Sequence, residues 1–336
     1  MSAQYPTVSI VIPAYNSAPI LPELVARIEA TWPGLGLEHG DRELILVNDA
    51  SRDNTWDVIC DLAARYPWVH GINLMRNSGQ HNALLCGTRA ARNSVIVTMD
   101  DDLQNPPEEM PVLLDKLAEG FDVVYGTPRK ERHGLWRDMA SRVTKLALQS
   151  AMGAEIARNV STYRAFKTQV RDAFAAYQGP FVSLDVILTW GTTRFGAVPV
   201  AHDERLIGKS NYTLRKLITH ALNMMTGFST LPLQLASLIG FAFTGLGFLV
   251  LLYVIGRYIA EGGSVPGFPF LASIIAIFSG AQMFALGIIG EYLARMHFRS
   301  MERPAYTVRD TTDTNYELQI PSYELPVPYD KPVARQ

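Results

Sequence analysis

Three consecutive carboxylates, Asp100, Asp101 and Asp102, end the apolar run at residues 94–99, and Gln104 follows closely. Adjacent acids repel and raise one another's pKa unless a cation lies among them. Mg²⁺ or Mn²⁺, hard ions that favour oxygen, would supply that charge, keep some water and take further ligands from a diphosphate. A helix start explains the residues from Asn105 onward: Asn105 can cap, Pro106 and Pro107 suit a first turn, and Glu108 and Glu109 favour the dipole. It leaves three acids at a strand end unexplained. Asp100 and Asp102 are therefore assigned to a metal–nucleotide site.

Acids at a strand end need a sheet to present them. Up to about residue 127 the chain alternates strand-like segments at 7–13, 43–48, 69–74, 95–99 and 122–125 with helix-like ones near 20–31, 55–65, 80–92 and 108–119. That order implies right-handed crossovers and a doubly wound, mostly parallel α/β sheet with helices on both faces. Ligands bind such sheets beyond the carboxyl ends of the strands. Pro13, Ala14, Tyr15 and Asn16 fall at one such end, Asn48 and Asp49 at a second, and the acid triplet at a third. No GxGxxG follows the first strand, so a dinucleotide-type phosphate loop is excluded. Asp53 reads as a helix cap and His81 as a helix-start residue. A second polar set follows: Arg129, Lys130, Arg132, Arg137, Arg142, Arg164, then Glu204, Arg205, Lys209 and Ser210.

Charge is otherwise scarce. Of 336 residues 18% are charged and the net charge is -2, which leaves no electrostatic footprint for nucleic acid. Cys60 and Cys86 sit in apolar helical patterns and read as small core residues of a reducing compartment. The N-terminus lacks a basic region and an apolar run long enough for a signal peptide, so this part is expected in the cytoplasm.

The second half changes character. No Asp, Glu, Lys or Arg occurs between Lys216 and Arg257, or between Glu261 and Glu291; each stretch exceeds the ~20 residues that cross a bilayer. Spans are expected at about 233–256 and 268–290, within a hairpin at 231–294. Arg215 and Lys216 before the pair, and Arg295, Arg299 and Arg303 after it, put both flanks and both termini on the cytoplasmic side. Leu214, Leu217, Ile218, Ala221, Leu222 and Met225 share one helical face, so residues 213–230 are expected to lie in the headgroup layer. The Pro-rich tail, 295–336, is expected to be extended without a core of its own. The whole sheet then belongs to residues 1–212, and a chain ending after Tyr212 should retain it.

Seven segments in order, IPAYN, NDASRD, RNSGQHNA, MDDDLQNPPEE, STYRAF, ERLIGKSNYTLRKL and GAQMFALGIIGEYLARM, resemble the family 2 glycosyltransferases of GT-A fold, in their polyprenyl-phosphate branch. The likeness runs from about Val8 to Val308 and is nearest to the undecaprenyl-phosphate formamido-arabinose transferase type. It implies inverting transfer of a sugar from a UDP-sugar to undecaprenyl phosphate at the cytoplasmic face of the inner membrane, for cell-envelope glycans, by a homo-oligomer. It also implies roles. Pro13, Ala14, Tyr15 and Asn16 would line the nucleotide pocket, with Asp49 meeting the base. Asp100 and Asp101 would lie beside the nucleotide, and Asp102, Gln104 and Asp100 would hold Mg²⁺ or Mn²⁺. Arg129, Arg137, Arg205, Lys209 and Ser210 would receive the donor diphosphate and the lipid phosphate, a task suited to Arg.

Departures from the family pattern are Ser17 for Glu, Asn48 for Asp, Ala50 for Gly and Asp101 for a common Ala. Relatives tolerate Ala at that last position, so substitution of Asp101 is expected to be mild. A processive polysaccharide synthase of the same fold is set aside, because none of the five tryptophans follows an Arg and only two spans are present. A non-catalytic membrane adaptor would be expected to have lost the acids first. Asp185, Asp203 and Glu204 are read as structural acids, not as bases.

Overall fold

The computed structural model describes residues 6–37, 40–129, 152–153, 156–157, 159–179, 182–203, 231–261, 267–301 and 303–313. Arg132, Arg137, Arg142, Glu204, Arg205, Lys209, Ser210 and the expected headgroup helix at 213–230 lie outside the described residues.

Strand β1 (Val8–Ala14) sends Val8, Ile10, Ile12 and Ala14 to one face of the sheet and Val11 to the other, the period of two that an extended chain imposes. It pairs in parallel with β2 (Arg42–Asn48) on one side and β4 (Val95–Thr98) on the other, and β3 (Val69–Leu74) adds in parallel to β2. Helices α1 (Leu21–Leu35) and α2 (Thr55–Arg65) cover one face. Buried Leu21, Leu24, Val25, Ile28, Trp32 and Leu35 form the inward stripe of α1. Helix α3 (Gln80–Ala90) covers the other face and lies so close that a Cβ on Gly87 would stand 2.4 Å from Val11 Cγ1. A 3₁₀ turn (Pro107–Glu109) leads into α4 (Met110–Ala118). The elements expected up to residue 127 are therefore present, with shifts of a few residues at their ends.

Three strands extend this sheet. The eight-stranded order is β7-β5-β6-β4-β1-β2-β3-β8. Strand β6 (Arg164–Lys167) runs antiparallel between β4 and β5 (Val123–Pro128), and β7 (Phe195–Val200) pairs in parallel with β5 after the short helix α5 (Leu184–Leu188). The chain moves outward from β1 to β3, then returns to place β4 on the opposite side of β1. The gap between the carboxyl ends of β1 and β4 is thus the topological switch point, where such sheets bind ligands.

The two apolar segments form helices α6 (Leu231–Glu261) and α7 (Phe268–Ser300). Their apolar stretches, Pro232–Ala260 and Ile277–Ser300, are long and apolar enough to cross a membrane, and their large apolar side chains are mostly exposed. They pack on one another, with Phe243 edge-on to Phe278 at 5.9 Å between ring centroids.

After α7 the chain returns to the sheet. Tyr306 is buried, and β8 (Val308–Thr311) pairs antiparallel with β3 as the edge strand. The expected start of the tail is corrected: residues 295–300 continue helix α7, and the extended segment that follows belongs to the sheet. The expectation that the sheet lies wholly upstream of the membrane helices is corrected: its eighth strand is downstream of them.

Candidate active site

Three loops meet at the switch point, and each contains one non-glycine residue in the left-handed backbone region: Asn16 (φ 56°) after β1, Ala50 (φ 52°) after β2 and Leu103 (φ 59°) after β4. These are the positive-φ non-glycine residues among the described residues. Such backbone persists only where surrounding contacts enforce it, and it gathers at working sites.

The contacts can be followed atom by atom. Asn16 N–H donates to Ser51 Oγ (2.9 Å), and the Asn16 side-chain carbonyl accepts from Arg52 N–H (2.8 Å). Ser51 Oγ donates to Asn48 Oδ1 (2.6 Å). Ser17 N–H donates to Thr55 Oγ1 (2.9 Å), while Asp53 accepts from the Thr55 N–H at 3.2 Å in a turn just ahead of α2, whose N-cap position is Asn54 and not Asp53. Tyr15, just after β1, is 44% exposed, an aromatic ring available to stack on a planar ligand.

Each of the three acids has its own setting. Asp100 accepts from Gln80 Nε2 and from Thr162 Oγ1, both at 2.6 Å. Burial of its carboxylate, reinforced by Asp102 and Asp101, pushes its pKa up to about 6, against the opposing Thr162 hydrogen bond and the Arg164 charge. Asp101 turns back to β1, accepting from the Ser17 hydroxyl and the Tyr15 N–H; burial raises its pKa too. Two of the departures in sequence, Ser17 and Asp101, are therefore hydrogen-bond partners. Asp102 is 8% exposed and accepts from Gln104 N–H (3.2 Å), which curls the loop around Leu103.

Beneath the triplet lies a buried cation that the sequence reading left without a role. Arg164 is fully buried, donates from Nε to Thr98 Oγ1 (3.0 Å) and pairs through Nη1 with Asp185. Thr98 Oγ1 donates to the Thr162 carbonyl (2.8 Å), so ion pair, threonines and Asp100 form one connected network. Asp185 is thereby engaged by a buried cation. For Arg164 the available signal was its location inside STYRAF, and Gln80 and Thr162 were likewise visible as parts of motifs.

The remaining expected residues divide. Asp49 is buried and spends one oxygen on Ser78 N–H (2.6 Å) and the other on Gly79 N–H (2.9 Å), which holds the entrance to α3 beside the site; burial raises its pKa against those two bonds. Arg129 is exposed and contacts Glu109 at 3.2 Å, one turn past the acid loop. Asp203 N–H donates to the Gln104 carbonyl (2.9 Å), which ties the segment after β7 to the acid loop. Leu184 N–H donates to His81 Nδ1 at 3.4 Å, in keeping with a helix-start role.

Among the described residues no set of three His, Cys, Asp or Glu forms a ready metal cage. The donor set still fits a hard divalent ion. Asp100, Asp101 and Asp102 follow one another at one strand end, and the pKa values of the first two are raised, first by burial and further by the neighbouring acids, a cost that a bound cation would relieve. An ion held by one or two of these oxygens would complete its shell with phosphates and water.

An acid triplet and a bonded loop system lie together at the switch point of a doubly wound sheet. The model of glycosyl transferase family 2 matches residues 9–175. The chain is 34% identical over 90% of its length to the undecaprenyl-phosphate 4-deoxy-4-formamido-L-arabinose transferase of Pseudomonas paraeruginosa, covering 89% of that protein. It is 38% identical, again over 90% of its length, to the protein of the same name from Shewanella sediminis, covering 92% of it. Among solved structures, a mannosyltransferase from Pyrobaculum calidifontis in complex with GDP-Man and Mn²⁺ is similar at 17% identity and a TM-score of 0.46, with 89% of this chain and 88% of that one covered. The chain belongs to the family 2 glycosyltransferases, in the polyprenyl-phosphate branch. It is a glycosyltransferase with a GT-A-type domain and two helices fit to span a membrane.

Proposed function

We propose that this protein transfers a sugar, with inversion, from a UDP-sugar to undecaprenyl phosphate at the cytoplasmic face of the membrane. The observation that carries the reading is the acid triplet at the switch point of a sheet whose last strand follows a membrane hairpin. The hairpin keeps the site near the headgroup plane, so that a lipid phosphate meets a soluble donor in a positioned encounter.

In this reading the Tyr15 ring and the Pro13–Asn16 backbone receive the nucleoside, with Asp49 at the base end and Asp101 bracing the loop. Asp102, Gln104 and Asp100 would hold Mg²⁺ or Mn²⁺, which when bound supplies Lewis-acid charge for the departing diphosphate. Arg129, Arg137, Arg205, Lys209 and Ser210 hold and aim the two phosphate groups. The acceptor is a phosphate monoester with a second pKa near ~6 and is mostly a dianion at neutral pH, so it needs orientation and partial desolvation more than a base. The engagement of Asp185 with Arg164 supports that account.

The test is transfer by purified protein in bilayers, using undecaprenyl phosphate and a panel of UDP-sugars and GDP-sugars that includes UDP-4-deoxy-4-formamido-L-arabinose, with and without chelator. One UDP-sugar should be used preferentially and chelation should stop the reaction. Transfer from a GDP-sugar alone, or turnover untouched by chelation, would refute the corresponding part.

A further inference from the structure

The strand that follows the second membrane helix is joined to the nucleotide loops by side chains as well as by the sheet. Asp310 on β8 stands opposite Asn73 on β3, and Asn73 Nδ2 donates to Asp310 Oδ2 at 3.3 Å. Asn73 Oδ1 accepts from Asn48 Nδ2 (2.8 Å), Asn48 Oδ1 accepts from Ser51 Oγ (2.6 Å), and Ser51 Oγ accepts from Asn16 N–H (2.9 Å). Asn48 and Asn73 are both buried, so each needs its partners to offset the cost of leaving water. The relay ends on two of the left-handed loops, those of Asn16 and Ala50, whose backbone depends on such enforcement.

The same segment grips the sheet elsewhere. Thr312 exchanges bonds with Gly71, its Oγ1 accepting from Gly71 N–H at 2.8 Å and its own N–H donating to the Gly71 carbonyl at 3.0 Å. A Cβ on Gly71 would come 2.7 Å from Thr312 Cγ2, so the close approach requires glycine. His70 Nδ1 lies 2.6 Å from Asp313 Oδ2. Buried Tyr306 packs its ring under the Arg89 guanidinium, 5.7 Å from the ring centroid, at the far end of the helix whose first residue, Gln80, holds Asp100.

We propose that Asp310, on the strand emerging from the membrane hairpin, is a positioning residue of the donor pocket, acting through Asn73, Asn48 and Ser51 on the backbone of Asn16. It touches no substrate. The inference rests on the nucleotide reading of these loops for its consequence in binding, while the relay itself is a property of the protein alone.

The experiment uses the full chain in bilayers and the variants Asp310→Ala, Asp310→Asn, Ser51→Ala and the double variant Asp310→Ala/Ser51→Ala. Asp310 is exposed, so its replacement leaves folding intact; a melting curve checks this. Hydrogen exchange at the Asn16 and Ser51 amides should quicken in Asp310→Ala and return toward wild type in Asp310→Asn, whose side-chain carbonyl can still accept. UDP affinity, and the donor KM with it, should worsen about fivefold, the order of one net hydrogen bond, with kcat within about twofold. The double variant should be no worse than the worse single one, since both cut one relay. Unchanged exchange at those amides, or fully additive losses, would overturn the relay. Quickened exchange without any UDP binding by the wild type would instead uphold the relay and remove the donor reading.

Discussion

Asp101 and Asp102 are adjacent in sequence and differ in what they hold. Asp102→Asn removes charge where the diphosphate is proposed to bind, and should abolish metal-dependent UDP binding and cut turnover by about 10²-fold or more. Asp101→Ala frees the Ser17 hydroxyl and the Tyr15 N–H and should weaken UDP binding about tenfold, the ~1.4 kcal/mol of a charge-assisted hydrogen bond. That is more than the family pattern suggests, because this chain has built a contact onto the acid. Titration calorimetry with and without Mn²⁺ separates the two, and a reversed order would mean that the acids have exchanged roles. Asp185→Asn tests another kind of acid. It leaves the fully buried Arg164 without a counter-charge, and broken pairs of that kind cost about 3–5 kcal/mol of stability. A large fall in melting temperature is expected, while the protein that remains folded keeps both limbs of its pH–rate profile and turns over within about tenfold of wild type. Intact stability with a lost acidic limb would make Asp185 a base after all.

At the scale of elements, what the sequence displayed depended on how each segment is buried. Strands β1 to β5 are covered on both faces and announce themselves as apolar runs ended by polar turns. Strand β6 has four residues, one of them the buried Arg164, and β8 reads VRDT; neither shows alternation or an apolar run. Their strand character comes from partners far away in the chain, which local pattern cannot reveal. The site was legible for the same reason as the central strands, since its acids and Asn16 follow apolar runs directly. Gln80, Thr162 and Arg164 act on Asp100 only through tertiary contacts. The loop after β2 supplies a test of the cost of this geometry. Ala50 sits at φ 52°, a conformation costing an L-residue roughly 1–2 kcal/mol, partly offset by the greater chain entropy of glycine. Ala50→Gly should raise stability by about 0.5–1 kcal/mol, read as a small rise in melting temperature, with UDP affinity within about threefold of wild type. A fall in stability would show that the alanine methyl makes compensating contacts.

At the scale of the whole molecule, the hairpin is inserted into the catalytic domain and is not appended to it. Strands β1 to β7 and strand β8 belong to one sheet, with α6 and α7 between them in sequence. A chain ending after Tyr212 therefore loses more than its anchor. It uncovers the β3 edge, with Gly71 and Met75 giving up backbone partners and His70 its contact with Asp313, and an open parallel edge invites aggregation. It also cuts the Asn73–Asp310 bond at the back of the nucleotide loops. Such a chain should be poorly soluble, lower in melting temperature, and weaker for UDP. A second chain, with residues 231–300 replaced by a flexible link of about ten Gly and Ser residues, keeps β8 and can close because α6 and α7 lie against each other. It should recover solubility and bind UDP within about threefold of the full protein, yet turn over bilayer-embedded undecaprenyl phosphate at least tenfold more slowly. Comparing the two separates the work of the strand from the work of the membrane helices. Equal UDP affinity and stability in the chain ending at Tyr212 would show that the eighth strand is dispensable. Full activity of the linked chain on bilayer acceptor would show that the hairpin serves only to keep the protein at the membrane.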